Sequence, residues 1–203
     1  MHPSRTTFLD AAATVADLVD RVPPSAWSVP GLGVWDLRAL VGHTARSLIT
    51  VATYVDRPAA AEDVAAPEAY YALITSAGAA NTDAVAQRGR DAGAALGDHP
   101  AAAFRALLTT AAEALDRAGD DDLIETVAGG MRVAAYLPTR TFELVVHGGD
   151  IDRATGLPVA FAAPVLAEAA ALAARVAVEL GHGPTVLAAL TGRTVLPPGL
   201  SVV

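Results

Sequence analysis

Apolar side chains recur at three- and four-residue intervals along most of this chain, a period that gathers them on one face of a helix. From Thr6 to Val22 the residues Phe8, Leu9, Ala12, Val15, Ala16 and Val19 trace one such face, which stops before the "PPSAW" at 23–27. A second face carries Leu37, Leu40, Val41, Thr44, Leu48, Val51 and Val55, with Asp36 at the position of an N-cap and "DRP" at 56–58 as its stop. Residues 67–96 read as a third helical region, interrupted near Gly78 or Gly89, and "DHPAAAF" at 98–104 opens a fourth that runs to about Gly119. In the connector that follows, 124–126 and 131–134 read as short extended pieces. Thr139 is then placed as the cap of a helix from Arg140 to about Thr155, closed by Gly156 and Pro158. Residues 163–180 form a last helix, and the chain finishes in a tail.

Helices must pack, and the composition says how. Of the 203 residues 53% are hydrophobic but only 5% aromatic, with alanine abundant, which suits helices whose backbones lie close together. The expectation is one all-α domain over 1–203, a core bundle to about 158 followed by a C-terminal helix and tail over about 159–203. There is no internal repeat. The net charge is −8, and all 14 basic residues are arginines scattered along the chain, which argues against nucleic acid and anionic membranes as partners. Residues 1–20 carry Asp10, Asp17 and Asp20 and do not read as a signal peptide, and no 18-residue apolar run occurs, so a cytoplasmic location is expected. With no cysteine, any thiol chemistry needs a thiol from outside.

The chemistry concentrates in "FELVVHGGDIDRATGLP" at 142–158. Glu143 and His147 are four apart, hence on one helix face a turn apart, a spacing that suits two ligands of one metal as well as a solvated helix pair. Asp150 follows within reach of the imidazole, where it can hold the ring's tautomer or pair with Arg153. Gly148 and Gly149 together cost the helix about 1–2 kcal/mol. Either they let a neighbouring element come close or they leave room beside a ligand. His43, at the edge of the second apolar stripe, would complete a His, Glu, His set with an open position, the donor set of catalytic zinc sites, and one that also suits nickel, iron or manganese. Trp27 and Trp35 flank the loop before that helix, as core plugs or as pocket walls beside His43. His2, His99 and His182 read as cap or surface residues. No serine-hydrolase elbow, dinucleotide fingerprint, phosphate loop or calcium loop is present.

Two segments together are specific. "WSVPGLGVWDLRALVGHTARSL" at 27–48 and "TRTFELVVHGGDIDRATGLP" at 139–158 resemble the two hallmarks of the mycothiol-dependent maleylpyruvate isomerase family, within the DinB-like superfamily. The resemblance implies a DinB-like up-and-down four-helix bundle with a divalent metal, zinc first, held by His43, Glu143 and His147. It further implies mycothiol, the low-molecular-weight thiol of actinobacteria, as cosubstrate: its metal-bound thiolate attacks a small electrophile in a transfer or an isomerisation. On this view Trp35 and Arg140 contact the cosubstrate, and Arg140 and Asp150 assist catalysis, Arg140 by binding a carboxylate unless it pairs with an acid on an adjacent helix. Where the family often carries a large aromatic this chain has Gly149, which implies a wider or differently shaped pocket. Roughly 40 residues after 160 are too few for the separate C-terminal domain of the better-known isomerase. Hydrolysis by metal-activated water, or a non-catalytic binding role, are the alternatives, and the assembly is expected to be a monomer or homodimer.

Overall fold

A computed structural model describes residues 2–78 and 82–202. Within them the three-four periodicities become α1 (Pro3–Asp20), α2 (Leu37–Val55), α3 (Pro67–Gly78), α4 (Thr82–Ala95), α5 (Pro100–Arg117), α6 (Val133–Thr155), α7 (Ala163–Glu179) and α8 (Gly183–Leu190). A short antiparallel hairpin, β1 (Leu123–Thr126) with β2 (Gly129–Arg132), pairs Ile124 with Met131 and precedes α6. Four helices close a ring, α1 on α6, α6 on α2, α2 on α5 and α5 on α1. The resulting all-α bundle is filled by Phe8, Val15, Leu40, Leu48, Phe104, Leu144 and Ile151, each fully buried. Burial of each of the larger of these side chains contributes about 1.5–3 kcal/mol. Among the described residues no helix is long and apolar enough to cross a membrane.

Around the ring, α4 lies on α2, α3 on α7 and α6, and α7 against α6 and α1, with α8 on α7. The α2–α4 contact is backbone to backbone: a Cβ on Gly42 would overlap the main chain of Ala92 and Gly93. Asp36 caps α2 as expected, its carboxylate accepting the Ala39 N–H at 2.8 Å, and Gly156 ends α6 in the left-handed region at φ 70°.

Three expectations are corrected and one open alternative is resolved. The helix assigned to start at Arg140 begins at Val133, so Thr139 is an interior residue whose hydroxyl donates to Tyr136 O at 2.6 Å rather than a cap. Val133 and Ala134, expected to be extended, are the first helical residues, and their N–H groups donate to the carbonyls of Asp122 and Asp120 at 2.9 Å each. Pro138, inside α6, lacks the N–H that would bond the Ala134 carbonyl. Ser4 on α1 donates its hydroxyl to that carbonyl at 3.2 Å, so the helix passes through the proline. The region 67–96 is two helices: α4 runs unbroken through Gly89, α3 ends at Gly78, and the junction itself lies outside the described residues. Lastly, the C-terminal tail contains α8, whose run of apolar residues has no polar face and so gives no periodic signal.

The paired glycines of α6 have different roles. A Cβ on Gly148 would lie 2.7 Å from the Phe161 ring and 3.3 Å from Val15, so this glycine admits α1 and the segment after α6. Gly149 meets only the Arg153 side chain, at 3.6 Å, and nothing in the structure explains it. Gly148→Ala is therefore expected to cost about 1–3 kcal/mol through overpacking, and Gly149→Ala to stabilise by about 0.5–1 kcal/mol, in denaturant unfolding. Equal effects of the two substitutions would contradict this packing.

Candidate metal centre

The face of α6 that carries Glu143 and His147 turns toward α2 at His43. One donor atom from each of the three side chains lies within 4.8 Å of the other two. His147 Nε2 stands 3.2 Å from Glu143 Oε2, and on the other side of the ring Nδ1 donates to Asp150 Oδ2 at 2.9 Å. Asp150 in turn accepts from Arg153 at 2.5 Å, so its carboxylate meets both the imidazole and the guanidinium. The carboxylate fixes the proton on Nδ1 and leaves Nε2 facing the cluster, as outer partners do for metal-bound histidines. The rings of His43 and His147 meet edge to face at 4.9 Å, and Trp35 backs His43 at 4.6 Å. The Trp35 indole N–H donates to Ala86 O at 2.9 Å, which ties the ring to α4.

The chemistry of the donor set fits a divalent cation. His43 Nδ1 is buried with no hydrogen-bond partner in the protein, a loss that a ligand to the ring would offset. Two imidazoles and one carboxylate, with no cysteine nearby, match the three-ligand pattern of catalytic rather than structural zinc. The cluster opens on a cleft of about 510 Å³ whose walls include His43, Glu143, Arg46, Arg88, Arg140 and Tyr70. Residues 8–152 match the family model of the mycothiol maleylpyruvate isomerase N-terminal domain. The chain belongs to this family. No curated protein and no solved structure matches it.

Within this mycothiol maleylpyruvate isomerase-type domain, Arg140 is 8% exposed, and among the described residues no carboxylate lies within ion-pair distance of it. Its guanidinium stacks between the rings of Tyr70 (5.3 Å) and Tyr136 (5.1 Å), with Nε donating to Thr139 Oγ1 at 3.0 Å. The acid on an adjacent helix that would have made it a structural pair is absent among those residues. Trp35 is 9% exposed and lies behind His43 rather than among the residues lining the cleft. The other histidines, His2, His99 and His182, all occupy helix N-caps.

Sequence reasoning missed Tyr71, Arg46 and Arg88. Tyr71 on α3 reaches Glu143 Oε1 at 2.7 Å and Thr139 O at 2.9 Å. Arg46 was within reach of the periodicity argument, since it follows His43 by three on the same face of α2. Tyr71 and Arg88 arrive from α3 and α4, whose placement only tertiary packing decides.

Burial alone would lower the pKa of His147, but its hydrogen bonds to Asp150 and Glu143 outweigh that and raise it to about 9. Burial pushes Glu143 up, whereas His147, Arg140 and Tyr71 together bring it down to about 2. His43, desolvated and beside His147, falls to about 4. Because the folded pKa of His147 lies above its unfolded value near 6.5, its contribution to the metal-free protein is complete below pH 6.5 and lost as pH rises through about 9. A cation needs the neutral ring, so zinc binding at pH 7 is expected to expel about one proton, from His147 and not from His43. Calorimetry in two buffers of different ionisation enthalpy measures this, together with an apparent affinity that climbs about tenfold per pH unit from 7 toward 9. Uptake without proton release would contradict the assignment.

Proposed function

We propose that the protein is a zinc-dependent transferase or isomerase that joins mycothiol to a small anionic electrophile. The observation that carries this reading is a His, Glu, His cluster at the side of an arginine-walled cleft, in a chain of this family. Zinc is favoured by the two imidazoles, although nickel, iron and manganese accept the same donors. A cation in that position supplies a thiolate at neutral pH by stabilising the anion over the thiol.

The remaining work falls to the chain's own side chains. Asp150, held by Arg153, keeps the proton of His147 on Nδ1. Trp35 fixes the plane of His43. Arg140 presents nitrogen atoms with no carboxylate partner among the described residues, from a floor where low dielectric strengthens each hydrogen bond. Together with Arg46 and Arg88 it binds a carboxylate of the electrophile and turns the reacting carbon toward the thiol sulfur. The sulfur–carbon bond then forms as a carbon–carbon double bond conjugated to a carbonyl of the electrophile opens, its electron pair moving toward that carbonyl. In transfer the resulting carbanion takes a proton from solvent and the adduct is released; in isomerisation the former double bond rotates as a single bond, and the electron pair returns to re-form it as the sulfur leaves as thiolate. We take residues 1–203 to act as one domain, α7 bracing α6 and α8 bracing α7 from outside the cleft.

Turnover of carboxylate-bearing electrophiles by the zinc-loaded protein should require mycothiol, and Arg46→Ala and Arg88→Ala should each raise KM about 10–150-fold, the range for loss of a charged hydrogen bond. The same substitutions should leave a neutral electrophile within about twofold. Turnover without thiol would assign water as the nucleophile and contradict the proposal, as would arginine variants that treat charged and neutral substrates alike.

A further inference from the structure

Glu143 divides its two oxygens between different partners. Oε2 faces His147 Nε2 at 3.2 Å, on the side of the cluster, while Oε1 accepts the Tyr71 hydroxyl at 2.7 Å. The same hydroxyl stands 2.9 Å from the carbonyl of Thr139, one helical turn before Glu143, so its one proton is shared between the carboxylate, the nearer acceptor, and the turn that carries it. The tyrosine has no freedom to leave. It is 1% exposed, and its ring is held nearly perpendicular to Phe142 at 5.3 Å and to Tyr70 at 5.6 Å.

Building on the metal-centre reading, we propose that Tyr71 is a positioning residue that restricts Glu143 to one-oxygen ligation. A free carboxylate can offer a cation both oxygens. With Oε1 held by a phenol that arrives from another helix, only Oε2 is presented to the space shared with His43 and His147. Three protein atoms then serve the cation, and a position stays open toward the cleft for an external ligand. Without the hydroxyl, Oε1 turns inward and joins Oε2, adding a fifth atom around the cation beside the external ligand. The hydroxyl thus sets the coordination number at the site, and it does so from α3, which contributes no ligand.

The test compares wild type, Tyr71→Phe and His147→Ala, each stripped of metal and then loaded with zinc or cobalt(II). Tyr71→Phe keeps the buried ring, and circular dichroism of the metal-free protein checks that it is folded. Zinc affinity, measured by chelator competition, is expected to fall about 10–100-fold in Tyr71→Phe. The cobalt spectrum is expected to change from the intense visible bands of four-coordinate cobalt to the weaker bands of five-coordinate. A purely structural role for the tyrosine would not move those bands. Zinc X-ray absorption on the wild type supplies a second reading that depends on no variant: a single carboxylate oxygen at bonding distance is expected, and two would overturn the inference. A Tyr71→Phe protein with wild-type spectrum and affinity overturns it equally. Wild type that takes up neither metal overturns the metal centre itself, whereas wild type that binds beside an unchanged Tyr71→Phe overturns only the role of Tyr71.

Discussion

Glu143 and His147 confront each other at 3.2 Å across one turn of α6, and much of the molecule is arranged around that contact. In water such a pair is worth a few tenths of a kcal/mol. Here it is half-buried, and its polar atoms are committed on every side: Asp150 behind the imidazole, Tyr71 behind the carboxylate, His43 opposite both. Partial burial makes these partners necessary, because an unpaired ionised group removed from water is costly. It also leaves the pair poised, since a cation can replace the shared proton without rearranging the outer partners.

Bringing α2 to this face requires close backbone approaches. α4 lies directly on α2 at Gly42, the residue before His43, and pins Trp35 through Ala86 O, so the imidazole is backed by a fixed indole. On the far side Gly148 admits Val15 and Phe161, which seats α6 against α1 and the segment leading to α7. The small-residue bias of the chain therefore has a geometric purpose. It lets α4 seat against α2 and α1 against α6, the two helices whose three side chains share one point.

How much of this could be read from the residues alone depended on how local the signal was. The i, i+4 spacing of Glu143 and His147, the reach of Asp150 and the stripe-edge position of His43 follow from helical period, and all four meet in space as expected. The start of α6 was placed too late, and the contact that carries the helix through Pro138, the hydroxyl of Ser4 on the Ala134 carbonyl, comes from α1, far away in sequence. Tyr71 and Arg88 were invisible for the same reason, as α3 and α4 reach the site only through packing. Gly148 and Gly149 looked equivalent in sequence, and only their neighbours separate them: one touches Phe161 and Val15, the other just an arginine side chain.

Whether His43, Glu143 and His147 hold a divalent cation is read from metal content by plasma mass spectrometry on protein purified without chelator or histidine tag, wild type beside His147→Ala. About one zinc per chain is expected in the wild type and none in the variant, whose fold should persist because the remaining core is untouched. A wild type free of metal that also fails to take up added zinc would contradict the metal centre, and would reduce the three side chains to a buried hydrogen-bonded cluster.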